Sequence, residues 1–292
     1  MSTDKRLAFV GLGKMGAAMA HRLLDSQYRL TVFNRTSVKS GDLAARGADC
    51  APSAAAAVEG HDVVVLSLAD DKAVESVLFE QMLPALRSGV TVIDTSTVSP
   101  SYAVQSARRL ADIGVRRVES VVVGNPLQAR AGKLRIFTAG PAIDDTEIRD
   151  VLDFLGTEIT HIGDSGNAAK LKLVFNLVLG GQIAALAEAV QFGTAAGLDR
   201  DELLRIVAGS GFSSQVMKFR SELMLRYSYS PAFFRAILME KDLCLALGSD
   251  EAAALELPVL DAVRNAFARV VAAGDGDKDA AVIIEHAVSK YL

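Results

Sequence analysis

The chain is poor in cysteine and histidine, carries no excess of basic charge and has no long uninterrupted apolar run. Each scarcity excludes something. Cys50 and Cys244 lack any paired spacing, so neither a disulfide framework nor a zinc site is predicted. His21, His61, His161 and His286 show no mutual spacing for a metal or a catalytic triad, and no metal is expected. Lys plus Arg total 31 against 35 for Asp plus Glu, a formal net charge of -4. That balance argues against a nucleic-acid partner held by bulk positive charge. The longest apolar stretch, Leu173 to Ala187, is interrupted by Asn176 and Gln182 and flanked by Lys172 and Glu188. A membrane span needs roughly 20 largely uncharged residues, so this stretch reads as a buried helix and no membrane partner is predicted. Met1 to Arg6 leads into a strand-like run with no signal-peptide core. The expected location is the cytoplasm.

What is present is enough for two domains. The chain has 292 residues, half of them hydrophobic and 23% charged, so a sizeable core can be buried. Leu7 to Val10, Leu30 to Phe33, Val63 to Leu66 and Val90 to Ile93 are nearly continuously apolar, as strands covered on both faces by helices must be. Helical segments, Ala17 to Ser26 and Ser37 to Arg46 among them, lie between. This rhythm predicts an α/β, Rossmann-type doubly wound sheet with right-handed crossovers. Arg117 to Val123 and Leu134 to Ala139 extend it, and Ile159 to Ile162 reads as its last strand. After Gly163 the character changes. No proline occurs from Ala168 to Thr194, alanine and leucine dominate, and one long interdomain helix is predicted there. Further helices are predicted at Asp199 to Ala208, Phe233 to Leu247, Leu257 to Ala272 and Asp277 to Ser289. The domains are therefore 1–163, nucleotide-binding, and 164–292, all-α, for substrate and dimerisation.

Gly11-Leu12-Gly13-Lys14-Met15-Gly16 is a G-x-G-x-x-G motif directly after the first strand. Gly11 would permit a tight turn, Gly13 would let a pyrophosphate approach the backbone, and Gly16 would let helix pack on strand. The diphosphate would lie on the positive end of the helix beginning near Lys14. A cofactor lacking the 2′-phosphate usually meets a carboxylate at the end of the second strand. Here that strand ends Phe33-Asn34-Arg35-Thr36. Arg35 offers a planar fork suited to phosphate, with Asn34 and Thr36 as neutral partners, which favours NADP over NAD.

Lys172 and Asn176, four apart, share one face of the long helix and interrupt an otherwise apolar sequence beside the domain junction. A lysine desolvated there would have its charged form disfavoured and could exchange a proton with a substrate oxygen. Spacing alone leaves a second reading open, in which Lys172 snorkels to solvent and Asn176 bonds a neighbouring helix. Ser213 and Ser214 read as helix caps in preference to pocket residues reaching in from the helical domain, and Arg108-Arg109 and Arg116-Arg117 as solvated surface.

Taken together, four segments carry a resemblance. Gly11 to Gly16, Asp94-Thr95-Ser96-Thr97-Val98-Ser99-Pro100, the Lys172/Asn176 helix and Lys241-Asp242 stand in the order and spacing of the β-hydroxyacid dehydrogenases. The chain resembles that family, which includes 3-hydroxyisobutyrate dehydrogenase and glyoxylate/succinic semialdehyde reductase, over nearly its whole length. The resemblance implies Lys172 as general acid/base, with Asn176 as its companion. It implies Thr97, Lys241, Leu68 and Ala69 at the cofactor, and Ser96 and Asp242 on the substrate side. It also implies a homodimer or homotetramer formed through the helical domains.

One segment departs from the family's pattern. Where the family usually has Asp-x-Pro-Val-Ser-Gly-Gly, this chain has Glu119-Ser120-Val121-Val122-Val123-Gly124-Asn125. Val123, Gly124 and Asn125 thus stand at the expected carboxylate-binding positions, with the hydroxyl lost. Backbone amides could still bind an anion there, yet selectivity is expected to shift toward a bulkier or less polar carbonyl compound. The expected activity is NADPH-dependent interconversion of a small hydroxyacid, semialdehyde or related carbonyl compound. An imine reductase and a non-enzymatic NADP-binding scaffold are the alternatives, and Lys172 weighs against both.

Overall fold

The computed structural model describes residues 6–26, 28–141 and 146–286. The chain divides into two compact units, Met1–Lys172 and Leu173–Leu292.

In the first unit, eight strands form one sheet: β1 (Arg6–Val10), β2 (Arg29–Phe33), β3 (Asp49–Cys50), β4 (Val63–Leu66), β5 (Thr91–Asp94), β6 (Arg116–Val123), β7 (Leu134–Ala139) and β8 (Gly156–His161). Their order is β3-β2-β1-β4-β5-β6-β7-β8. All neighbours are parallel except β6 and β7. The order reverses at β1, between β2 and β4, and in open α/β sheets ligands bind outside the strand ends at that crevice. Among the described residues seven helices accompany the strands: α1 (Lys14–Leu24), α2 (Gly41–Ala45), α3 (Ala54–Val58), α4 (Asp71–Val74, continued by a π-helical segment Glu75–Met82), α5 (Pro100–Ala111), α6 (Pro126–Arg130) and α7 (Thr146–Leu155).

The apolar runs are continuous because both faces of the sheet are covered. On one face Leu7 and Phe9 of β1 pack with Met19 and Leu23 of α1 and with Val151, Leu152 and Leu155 of α7. The opposite face presents Ala8 and Val10 to Ala57, Val58, Leu78 and Met82. Period-2 alternation along one strand thus feeds two cores.

Among the described residues five α-helices follow: α8 (Asn167–Ala195), α9 (Arg200–Gly209), α10 (Gln215–Leu225), α11 (Ala236–Leu247) and α12 (Pro258–Val270). By length and composition alone α8 could cross a membrane. Ile183, Ala184, Leu186, Ala187 and Val190 nevertheless lie in the helical core with Met239, Leu243, Phe267 and Ile283. Asp279 fastens this unit from within. It pairs with Arg220 and accepts N–H bonds from Phe233 (2.9 Å), Phe234 (3.1 Å) and Ala281 (3.0 Å).

Several local expectations need correction. The predicted helix at 233–247 begins only at Ala236, because the Phe233 and Phe234 amides are taken by the buried Asp279. In place of a helix at 277–289 there is a 3-10 segment, Ala280–Glu285, after which 287–289 lie outside the described residues. Arg117 is not solvated surface but 2% exposed, and Arg109 lies against Phe79 with its two terminal guanidinium nitrogens on Glu75.

Candidate active site

The three glycines of the first loop do different things. A Cβ on Gly11, whose φ is +99°, would stand 2.2 Å from the Ser67 carbonyl oxygen, and one on Gly16 would stand 2.1 Å from that of Gly11. The first presses the loop against the chain just after β4, and the second presses α1 against the loop. At Gly13 an added Cβ would meet nothing within 4 Å. Gly13 caps α1 without a side-chain hydrogen bond, and the first turn of α1 holds no acidic residue. The positive end of the α1 dipole thus lies beside a position with open space around it. Lys14 is exposed there, Met15 is half-buried against the core, and Leu12 is buried.

Asn34 ties this loop to the end of β2. Its Oδ1 accepts the Leu12 N–H at 2.9 Å and its Nδ2 donates to the Thr36 carbonyl at 3.0 Å. Much of its hydrogen-bonding capacity is spent on shape. Arg35 and Thr36 are exposed, and Arg35 forms no ion pair among the described residues.

The loops after β4 and β5 are cross-linked. Ser96, 4% exposed, accepts the Leu68 N–H on Oγ at 2.9 Å and donates its own N–H to Asp94 Oδ1 at 2.9 Å. Asp71 accepts both the N–H (2.8 Å) and the hydroxyl (2.6 Å) of Ser99. These bonds hold Thr97, half-buried, opposite Leu68 and the exposed Ala69.

Behind those loops lies a buried ionic cluster. Arg117 donates from Nη2 to Asp94 Oδ2 at 2.7 Å, and its Nη1 lies 3.7 Å from Glu119 Oε1. Glu119 in turn accepts the N–H groups of Gly166 and, at 3.2 Å, Ala169, where α8 begins. Burial raises the Glu119 carboxyl above its ordinary pKa, against the opposing pull of Arg117 and the two amides. A signal for this cluster exists in the sequence. Arg117 and Glu119 are i, i+2 in a strand that continues as Val121-Val122-Val123, hence on one face, and charge buried in such a strand needs internal partners.

Lys172 is half-buried on α8, and its Nζ donates to the Val122 carbonyl at 2.8 Å. Beyond Val122, β6 ends at the half-buried Val123. Gly124 (φ +147°) turns the chain, and Asn125 caps α6 in a reciprocal box with Gln128. The Asn125 N–H goes to Gln128 Oε1 at 3.0 Å and its Oδ1 accepts the Gln128 N–H at 3.0 Å. That backbone amide, expected to face an anion, is already satisfied.

In the second unit, Asn176 is 3% exposed and donates to Asp242 Oδ2 at 2.5 Å. Lys241 pairs with the other oxygen of the same carboxylate at 2.7 Å. Asp242, itself 2% exposed, thus fixes both neighbours. Ser214 caps α10 by accepting the Met217 N–H, whereas Ser213 makes no such cap.

Comparison with known proteins places the chain. Residues 6–163 match the NAD binding domain of 6-phosphogluconate dehydrogenase, and residues 166–287 match the NAD-binding domain of NADP-dependent 3-hydroxyisobutyrate dehydrogenase. The chain belongs to the β-hydroxyacid dehydrogenase family. Glyoxylate/succinic semialdehyde reductase 1 of Arabidopsis thaliana is 32% identical over 281 residues, covering 96% of this chain and 97% of the relative. The crystal structure of a 3-hydroxyisobutyrate dehydrogenase from Salmonella typhimurium superposes with a TM-score of 0.90 at 25% identity, covering 97% of this chain and all of that one. An imine reductase from Streptomyces aurantiacus, also 25% identical, gives 0.64 over 98% of this chain and all of that one. As a member of this family the protein is an oxidoreductase with a Rossmann-type NAD(P)-binding domain. The loop fits that group, because the open position at Gly13 and the uncapped start of α1 leave a cradle for a diphosphate.

Proposed function

We propose that the protein is an NADP(H)-dependent reductase, or reversible dehydrogenase, of a small carbonyl compound, with Lys172 as general acid/base. The observation that carries this reading is the placement of Lys172. Its Nζ is held on the Val122 carbonyl at 2.8 Å, at the end of the strand that leads into the Val123-Gly124-Asn125 segment. Bound NADPH would supply the hydride. Lys172 gives a proton to the carbonyl oxygen as that carbon is reduced to the alcohol. In oxidation the lysine must start neutral and takes the hydroxyl proton away. Asn176, one helical turn along α8 and fastened to Asp242, orients the same oxygen. The Gly11 to Gly16 loop would hold the diphosphate, Leu68, Ala69 and Thr97 the nicotinamide side, and Lys241 would stand near the cofactor.

The NADP preference rests on Arg35, exposed and without an ion pair among the described residues, at a strand end that has no carboxylate. Val123 and the satisfied Asn125 amide support a carbonyl substrate less polar at that end than a carboxylate. Lys172 and the lower similarity to the imine reductase favour C=O over C=N reduction. On α8, Val174, Val178 and Phe192 are 53%, 55% and 77% exposed, which supports a homodimer formed through this helix.

The test is NADPH oxidation at neutral pH against succinic semialdehyde, glyoxylate, uncharged aldehydes and a cyclic imine, with NADH in parallel. Faster turnover of aldehydes with NADPH than with NADH is expected. Activity on the imine alone, or a preference for NADH, would contradict the proposal.

A further inference from the structure

We propose that Glu119 is a positioning residue for Lys172: its buried carboxylate holds the first turn of α8 against β6, so that one strand sets both where that helix starts and where the lysine ends. The inference rests on the reductase reading for the role of Lys172, though not for the geometry.

Glu119 Oε1 accepts the Gly166 N–H and Oε2 accepts the Ala169 N–H, so both carboxylate oxygens point at the start of α8. A helix leaves its first N–H groups without intrahelical partners, and a carboxylate there is favoured by the positive end of the dipole. Three residues along the same strand, the Val122 carbonyl accepts the Lys172 ammonium. Lys172 lies three residues beyond Ala169, less than one turn of α8. A shift or fraying of that first turn therefore moves Nζ directly.

The carboxylate is itself braced. Arg117 stands beside it and is bonded to Asp94 and, through Nη1, to the Ala103 carbonyl at 3.2 Å. Asp94 also accepts the Ser96 N–H in the loop that carries Thr97. One ionic cluster thus joins the β5 loop to the start of the lysine helix. The Glu119 side chain is only 3% exposed within the sheet, where burial of charge is costly unless partners such as Arg117 and the two α8 amides meet it.

The test is Glu119→Gln, nearly isosteric, which presents an amide N–H where an acceptor stood. Folding is checked by its melting transition, NADPH affinity by cofactor fluorescence, and turnover on the best aldehyde of the panel. Lys172 is read separately through its acetic anhydride labelling rate by peptide mass spectrometry, with Lys218 as internal control. A displaced general acid costs about 100-fold in rate per ångström-scale misplacement, so kcat should fall by about that factor while NADPH affinity holds. Labelling at Lys172 should change and that at Lys218 should not. Should the variant fail to melt cooperatively, Glu119→Asp, which keeps the charge but draws it back by one methylene, carries the same expectation. Turnover near that of the parent, or equal losses in kcat and cofactor affinity, would overturn the proposal. If the parent reduces nothing in the panel, the reductase reading fails, and labelling decides alone: an unchanged Lys172 rate overturns the positioning role, and a changed one supports it.

Discussion

Replacing Gly13 with alanine separates a glycine needed by the fold from one needed by a ligand. The added Cβ would meet nothing within 4 Å, and the backbone there (φ -64°, ψ -179°) is extended and open to any residue. Reduced freedom of the unfolded chain stabilises by about 0.4–1 kcal/mol. Loss of glycine's advantage over alanine at a helix N-cap costs a similar amount, so stability should change by less than about 1 kcal/mol. Binding should respond quite differently. A methyl group over the open end of α1 would keep a diphosphate from at least one backbone donor, and a hydrogen bond to a charged group is worth about 1.5–3 kcal/mol. NADPH affinity should therefore fall roughly 10- to 150-fold. Gly16→Ala is the contrast, since its methyl would enter the Gly11 carbonyl and should cost about 1–3 kcal/mol in stability. NADPH emission serves as the titration signal, undisturbed by tryptophan because the chain has none. Gly13→Ala with unchanged affinity, or with a fall in stability matching that of Gly16→Ala, would refute the reasoning.

Arg117→Met should cost about 3–5 kcal/mol in urea unfolding, because it strands two buried carboxylates, Asp94 and Glu119. A change within about 0.5 kcal/mol, as for a surface arginine, would contradict the cluster. His61 is buried with its pKa lowered, chiefly by burial, so the native state resists protonation. Above pH 6.5 both folded and unfolded forms are neutral there. Below it the unfolded chain binds the proton first, so stability should decline as pH falls from 6.5 toward the folded pKa. The decline should be smaller in His61→Phe, and an equal decline would count against it. Arg35→Ala should weaken NADPH binding while leaving NADH binding nearly unchanged, and equal effects on both would remove Arg35 from the phosphate site.

The fold was largely legible because its strands are buried on both faces, and continuous apolar runs such as Val63 to Leu66 admit few other readings. Gly11 to Gly16 was legible for a similar reason, since close approaches of the loop to the chain after β4 and of α1 to the loop restrict the side chain at two of its positions. Less readable were elements set by distant partners. The two-residue β3 and the late start of α11 are fixed by pairing with β2 and by Asp279, which no local pattern announces. Arg117 looked exposed because a charged doublet usually is, and only its partners at positions 94 and 119 explain its burial. Asn125 could be read as a replaced glycine, but its box with Gln128, which removes an amide from the site, depends on how the chain turns at Gly124. Asn34 likewise bonds back to Leu12 across the loop it was expected to serve.

Lys172→Ala, assayed for NADPH oxidation with the best aldehyde and for NADPH affinity in the same preparation, tests the central claim most directly. General acid/base groups contribute about 10²- to 10⁴-fold, so turnover should fall by at least the lower figure while affinity for NADPH stays within a factor of about two. Turnover close to that of the parent would contradict the assignment of Lys172.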